Sequence, residues 1–269
     1  MTLVMREAER VDSRVLGALH CVDASTRVAV DTPLVVEVAG ARIRRNRSGL
    51  YVIVQADALA AHEGAFDAPP GAPALGSVVL ALTLQDPSGR YLPRRVSVAL
   101  PRDPAPDHAG QVDSLFRPLQ VSMYPAAAAP VGANWAALRL SLAESASGDA
   151  LGGALVIVES DGAIVARGLS DWRGEALVPV PGVPVTTWSD DPEAVVVSEV
   201  AAQVHVVFDP AAGTRSPAAN VRAGSAPQVL PLADPDDLEA RRAALPTLAH
   251  GVQLAAGRSQ SLSLALALP

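Results

Sequence analysis

The chain has 269 residues, a net charge of −7 and a composition that is 49% hydrophobic but only 3% aromatic, so it can bury one large or two modest cores built from Val, Leu and Ala. The acidic balance excludes the clustered basic surface that nucleic acid requires, and three each of Trp, Tyr and Phe leave few platforms for stacking bases or sugars. All 21 cations are arginine, which rules out Schiff-base chemistry, a P-loop lysine and lysine isopeptide crosslinks, and the single cysteine, Cys21, permits no internal disulfide.

At the N-terminus, "MTLVMREAERVDSRVLG" places charges where a signal peptide needs a continuous apolar core. No stretch has the uninterrupted apolar length of a membrane span. The expectation is a cytoplasmic product without a signal peptide, with release as part of a particle as the alternative.

Alternation of period two then recurs along the chain, the pattern of strands with one buried face. Strands are expected in "VLGALHCVD", "PLVVEV" and "LYVIV", and then near Val78 to Leu84 and Arg95 to Leu100, the last two joined by a turn at Asp86, Pro87, Ser88 and Gly89. The proline-rich stretch that follows is read as linker around an edge strand, "LQVSMY". Further strands are expected in "WAALRLSLA", "GALVIVE", "AIVARGLS", "EALVPV" and "QVHVVF". "DPAAGTRSPAANVRAGSAPQ" reads as a long surface loop. One helix is expected, at about 235–244, with Asp234 capping it, Pro235 at its first position and Asp236 and Asp237 at the positive end of its dipole. In the terminal "SQSLSLALALP", Leu262, Leu264, Leu266 and Leu268 share a face.

A weak repeat relates the segment from Val15 to the segment from Ala136, at an offset of roughly 122 to 125 residues. In both, strands are separated by a polar turn, a Gly-Ala step at Gly40 or Gly162, and a turn ending in Gly49 or Gly174. The fold expected is all-β: two Ig-like or transthyretin-like sandwiches in tandem, 1–125 and 135–269, joined by a linker at 126–134 and carrying one short helix in the C-terminal half.

Residues capable of chemistry are sparse. There is no G-x-S-x-G elbow, and Cys21 lies in a strand beside His20, so it reads as a buried structural thiol. His20, His62, His108, His205 and His250 form no spaced ligand pair, and "HEGAF" at His62 lacks the second histidine of a zinc motif. His205, opposite Val204, Val206 and Phe208, reads as solvated or as a contact residue. The acidic groups Asp190, Asp191 and Glu193, and Asp234, Asp236 and Asp237, do not follow the ligand order of a calcium loop. "ARIRRNRSG" sends Arg42 and Arg44 to one side and Arg45 and Arg47 to the other; it reads as a charged edge strand or as a surface for an anionic partner. No catalytic residue, metal site or cofactor is expected.

"DGAIVARGLSDWRGEALVPVPG", Asp161 to Gly182, holds the most conspicuous cluster of polar residues. Asp161-Gly162 suits a hairpin turn, Ser170 and Asp171 can bond the next turn's backbone, Gly174 can take a positive φ and Pro181-Gly182 stops the last strand. Trp172 and Arg173 lack any such backbone reason and are the candidate partner contacts, with Arg42 and Arg44.

This half, through Gly153 and Ala154, then Ser170, Asp171 and Gly174, then Pro181 and Gly182, resembles the carboxypeptidase regulatory-like (transthyretin-like) β-sandwich domain. The lead-in "VSMYPAAAAPVGANWAALRL" also resembles proteins encoded near phage-tail-like contractile particle genes. The resemblance implies an accessory or adhesive module without catalysis. The resulting expectation is a non-enzymatic structural or accessory protein of a phage-tail-like assembly, with other subunits or copies of itself as partners and no nucleic acid or membrane span. The alternative is a carbohydrate-binding or adhesin module using exposed tryptophans among Trp135, Trp172 and Trp188.

Overall fold

The computed structural model describes residues 14–64, 71–184 and 199–269. Strands dominate, as the alternation requires. They are β1 (Gly17–Asp23), β2 (Val35–Val38), β3 (Ala41–Arg45), β4 (Tyr51–Ala56), β5 (Val78–Gln85), β6 (Arg94–Leu100), β7 (Leu119–Met123), β8 (Ala136–Glu144), β9 (Ala150–Gly152), β10 (Leu155–Ser160), β11 (Ala163–Leu169), β12 (Glu175–Val180), β13 (Glu199–Val207), β14 (Thr214–Ser216), β15 (Thr247–Ala255) and β16 (Ser259–Leu266). Short helices are α1 (Ala60–Gly64), α2 (Ala218–Arg222) and α3 (Pro235–Ala240).

Two compact units contain these elements, each assembled from three stretches: the described residues of 1–20, 38–80 and 98–119, and those of 21–37, 81–97 and 120–269. In the first, β4 pairs antiparallel with both β1 and β3, over a core that includes Leu19, Ile53 and Leu59. The arginine-bearing β3 is the edge of its sheet, as expected, and the register between β3 and β4 shifts where Val54 of β4 is left without a partner between Arg42 and Ile43. Arg102 is buried here, its guanidinium donating to the carbonyls of Ser114 at 3.0 Å and Val112 at 2.6 Å.

The second unit holds a β-sandwich. One sheet runs β11-β10-β13-β15, all antiparallel; the other runs β12-β8-β9-β14, with β16 parallel to β8. Leu138, Leu140 and Leu142 of β8, Val156 and Val158 of β10, and Val204 and Val206 of β13 fill the space between them, with Phe208. Branched aliphatics suit this layer between two sheets. Alternation sets the faces: on β16, Leu264 and Leu266 are buried and Ser261, Ser263 and Ala265 exposed. Pro179 is tolerated because β12 is an edge strand.

The expected helix forms, with Asp234 accepting from the Asp236 amide, but it is split into α3 and a 3-10 turn over Arg242–Ala244. The expected long loop contains β14 and α2 instead. Pro217 starts α2, and β14 gains its ladder from β9, a partner too short to announce itself in sequence.

A single local device recurs at Asp-Pro steps. Asp86, Asp103, Asp209 and Asp234 each precede a proline, and each carboxylate accepts from the amide two residues on, at 2.9, 2.8, 2.9 and 3.3 Å. Proline presets the turn and the carboxylate closes it.

Candidate functional site

The Ser170 to Glu175 turn is built almost wholly from side chain to backbone bonds. Ser170, buried, donates its hydroxyl to the Leu151 carbonyl at 2.7 Å and accepts from the Ala154 amide at 2.8 Å. Asp171 Oδ1 accepts from the amides of Arg173 and Glu175 at 2.8 and 3.0 Å. Its Oδ2 receives the Arg173 guanidinium at 3.0 and 2.9 Å. Arg173 also lies 3.2 Å from the Glu175 carboxylate and stacks over the Trp172 ring, 5.8 Å from its centroid. Burial pulls the Arg173 guanidinium down, while its bond to Asp171 and the charges of Asp171 and Glu175 hold it above its ordinary value. Trp172 and Arg173 are both half-buried, so the two turn residues without a backbone role brace each other.

Arg42 and Arg44 are exposed on the edge strand β3, and belong to the first unit, whereas Trp172 and Arg173 belong to the second. The structure does not make one surface patch of the four within a unit. Cys21 is buried, as expected. His205 is half-buried with its Nε2 3.4 Å from a Glu159 carboxylate oxygen. His108 forms a contact the sequence did not announce, Nδ1 to Asp103 Oδ2 at 2.6 Å. Asp190, Asp191, Glu193 and Trp188 lie outside the described residues. Among the described residues no group of three metal-ligating side chains occurs, and no helix is long and apolar enough to cross a membrane.

Within the second unit, a polar cleft of about 730 Å³ opens between the turn after β1, the strand β11, Pro179 and Pro181 of the β12 end, and α3. Behind it sits Arg94, whose side chain is fully buried. It donates to the Ser122 carbonyl at 2.7 Å, to Asp236 at 2.6 Å and more weakly to Asp234 at 3.5 Å, and it lies 5.8 Å from the centre of the Tyr124 ring. A buried cation with these partners ties down the start of α3, because removing the aspartates would leave the Arg94 charge buried and uncompensated. Arg167 on β11 forks onto Glu239 at 2.7 and 2.8 Å. That bond to Glu239 keeps the Arg167 guanidinium above its ordinary value. Tyr124 is 2% exposed, and burial pushes its phenol up to about 12, so it stays a neutral donor.

A signal for this arrangement was present in the sequence. Carried one residue back from Arg95, the alternation of β6 puts Arg94 in phase with Val96, Val98 and Leu100, all buried. An arginine on a buried face demands carboxylates, and the aspartates that mark the helix start supply them.

No family model matches the chain, and no curated protein does. Among solved structures the chain is similar to the Bacillus anthracis TIE protein, at 12% identity and a TM-score of 0.25, over 94% of this chain and 34% of that one. The chain thus spans about a third of that protein's length.

Proposed function

We propose that the chain is a non-enzymatic accessory or structural protein that works by protein contact, as a component of a phage-tail-like contractile assembly. The observation that carries the reading is the use of Ser170 and Asp171. Both side chains, in the most polar cluster of the sequence, are engaged with neighbouring backbone and with Arg173. The same residues carry the likeness to carboxypeptidase regulatory-like sandwiches, which supports a module whose polar turn serves architecture. Sheet edges at β15 and β3 offer main-chain pairing to other subunits.

The test is to tag the chain in a host that produces such particles, isolate the particles by sedimentation and identify their components by mass spectrometry. The chain is expected in the particle fraction with sheath and tube proteins. A chain that stays monomeric with every particle component and is missing from isolated particles overturns the reading.

A glycan-binding role is the second reading, favoured by the partial exposure of Trp172 at a turn. It requires a glycan-array signal lost in Trp172→Ala; an array without signal for the unaltered chain dismisses it.

A further inference from the structure

We propose that two copies of the chain pair through β15, antiparallel and in register about Gly251, so that the β11-β10-β13-β15 sheet continues across a two-fold axis. The proposal rests on the reading of the chain as a protein-contact module and names a second copy as the partner at one edge.

β15 runs for nine residues, Thr247–Ala255, and each of them pairs with a residue of β13 without a register shift. Its other side ends the sheet, with no strand beyond it among the described residues. An edge of this kind presents a row of outward amides and carbonyls, and proteins ordinarily blunt it with charge, proline, a bulge or short length. The opposite edge of the same sheet, β11, has a register shift that leaves Val165 unpaired, and β12 runs beside it. β15 has none of these devices: it is long and unbroken, and contains no Asp, Glu, Arg or Pro.

Gly251, at the middle of the strand, is the second observation. A glycine inside a strand weakens it, and marks a bulge, a bend or the close approach of something else. None of these arises within the chain. Gly251 is not in the left-handed region, it pairs with Gln203 in unbroken register, and a Cβ built on it would meet nothing within 4 Å. The fold has room for a side chain here, so the use of the glycine lies outside the single chain.

The sequence of β15 also fits its own copy. A two-fold centred on Gly251 sets Gly251 on Gly251, His250 against Val252, Ala249 against Gln253, Leu248 against Leu254 and Thr247 against Ala255. No pair opposes like charges, and Leu248, which packs on the sandwich core only in part, gains a leucine. The same operation about Ile43, the centre of β3, would set Arg42 against Arg44, a repulsive pair. Self-pairing therefore suits β15 and not the arginine-bearing edge.

The test is sedimentation velocity of the full chain, with cysteine crosslinking to read the register; the native Cys21 is buried. The unaltered chain is expected to dimerise with a Kd on the order of 1 to 100 µM, the range of small transient contacts. Gly251→Arg, which opposes like charges across the axis, should raise Kd by about tenfold or more, and Gln253→Arg, which faces Ala249, by less. Under mild oxidation Gly251→Cys should link two copies, because opposed residues of an antiparallel pair have Cα atoms about 4.5 to 5.5 Å apart, within disulfide reach. Gln253→Cys alone should not link, whereas Ala249→Cys combined with Gln253→Cys should. A link is a gained signal tied to register, so a folding defect cannot mimic it. A chain that stays monomeric up to about 500 µM, a dimer whose Kd Gly251→Arg leaves within about twofold, or links as ready at Gln253→Cys alone as at Gly251→Cys would overturn the proposal. Absence of the chain from isolated particles would remove the assembly and leave the β15 pair intact, whereas a chain that sediments with particles and never links at Gly251→Cys would remove the pair alone.

Discussion

Two stretches that look alike in sequence, Val15 to Val54 and Ala136 to Val180, keep half of their likeness in three dimensions. The outer pairing is shared: β1 pairs antiparallel with β4, and β8 with β12. The middle differs. β10 and β11 form a hairpin, while β2 joins β5 and β6 in one sheet and β3 joins β4 in another. The connecting turns account for the difference. At Asp161-Gly162 both residues have positive φ, 50 and 75, the conformation whose twist matches a hairpin. At Ala39-Gly40 only the glycine does, at 65, so the strands splay and separate into different sheets. The difference in φ accompanies the alanine at position 39 where the second stretch has Asp161: alanine resists the left-handed region and aspartate tolerates it.

The closing glycines give the sharpest way to break this comparison. A Cβ on Gly174, at φ 74, would collide with the Leu142 carbonyl oxygen, whereas on Gly49, at φ 81, it would meet only the tip of Arg45 at 3.6 Å. Gly174→Ala is expected to cost about 4 kcal/mol or more in urea unfolding and Gly49→Ala about 1 to 2 kcal/mol. Equal losses would mean that the two turns are equivalent after all. Ser170→Ala, which strips the buried Leu151 carbonyl and Ala154 amide of a partner, should cost about 2 to 3 kcal/mol. Asp161→Ala should cost about 1 kcal/mol and speed amide exchange across β10 and β11, while Asp161→Asn stays within about 0.5 kcal/mol. A neutral Asp161→Ala would remove the explanation for the hairpin.

The smallest effect expected is on the acid limb of stability. The bond from Arg241 holds Asp209 below the ordinary carboxylate range; at Asp86 burial pushes upward, and the bonds from Ser88, Tyr91 and Arg90 together outweigh it. Both groups stabilise the fold while ionised, so their contribution is present above the ordinary carboxylate range and is lost as pH falls through the lowered folded values. The melting temperature should drop between about pH 7 and about pH 3, and by less in Asp209→Asn. An unchanged acid limb in that variant would show that Asp209 does not contribute.

What could be read beforehand follows from what periodicity encodes. Alternation gives faces, so β6, β13 and β16 and the buried Leu264 and Leu266 were legible, as were the turn roles of Asp161, Ser170, Asp171 and Gly174. Periodicity does not encode partners. The parallel pairing of β16 with β8, and the ladder that makes β14 a strand, depend on residues far apart in sequence. The cleft was hidden for the same reason: Arg27, Tyr124 and Arg167 carry no shared motif, and only folding brings them together.

The pairing of β8 with β16 also sets a timetable for synthesis. Every strand from β9 to β15 leaves the ribosome before β16 does, so a nascent chain carries β8 with one edge open and its leucines partly uncovered. Such an edge invites pairing with another chain, and chaperones exist to shield it. Slow translation of the intervening segment would therefore lower the yield of native protein even though every residue of the finished molecule is unchanged.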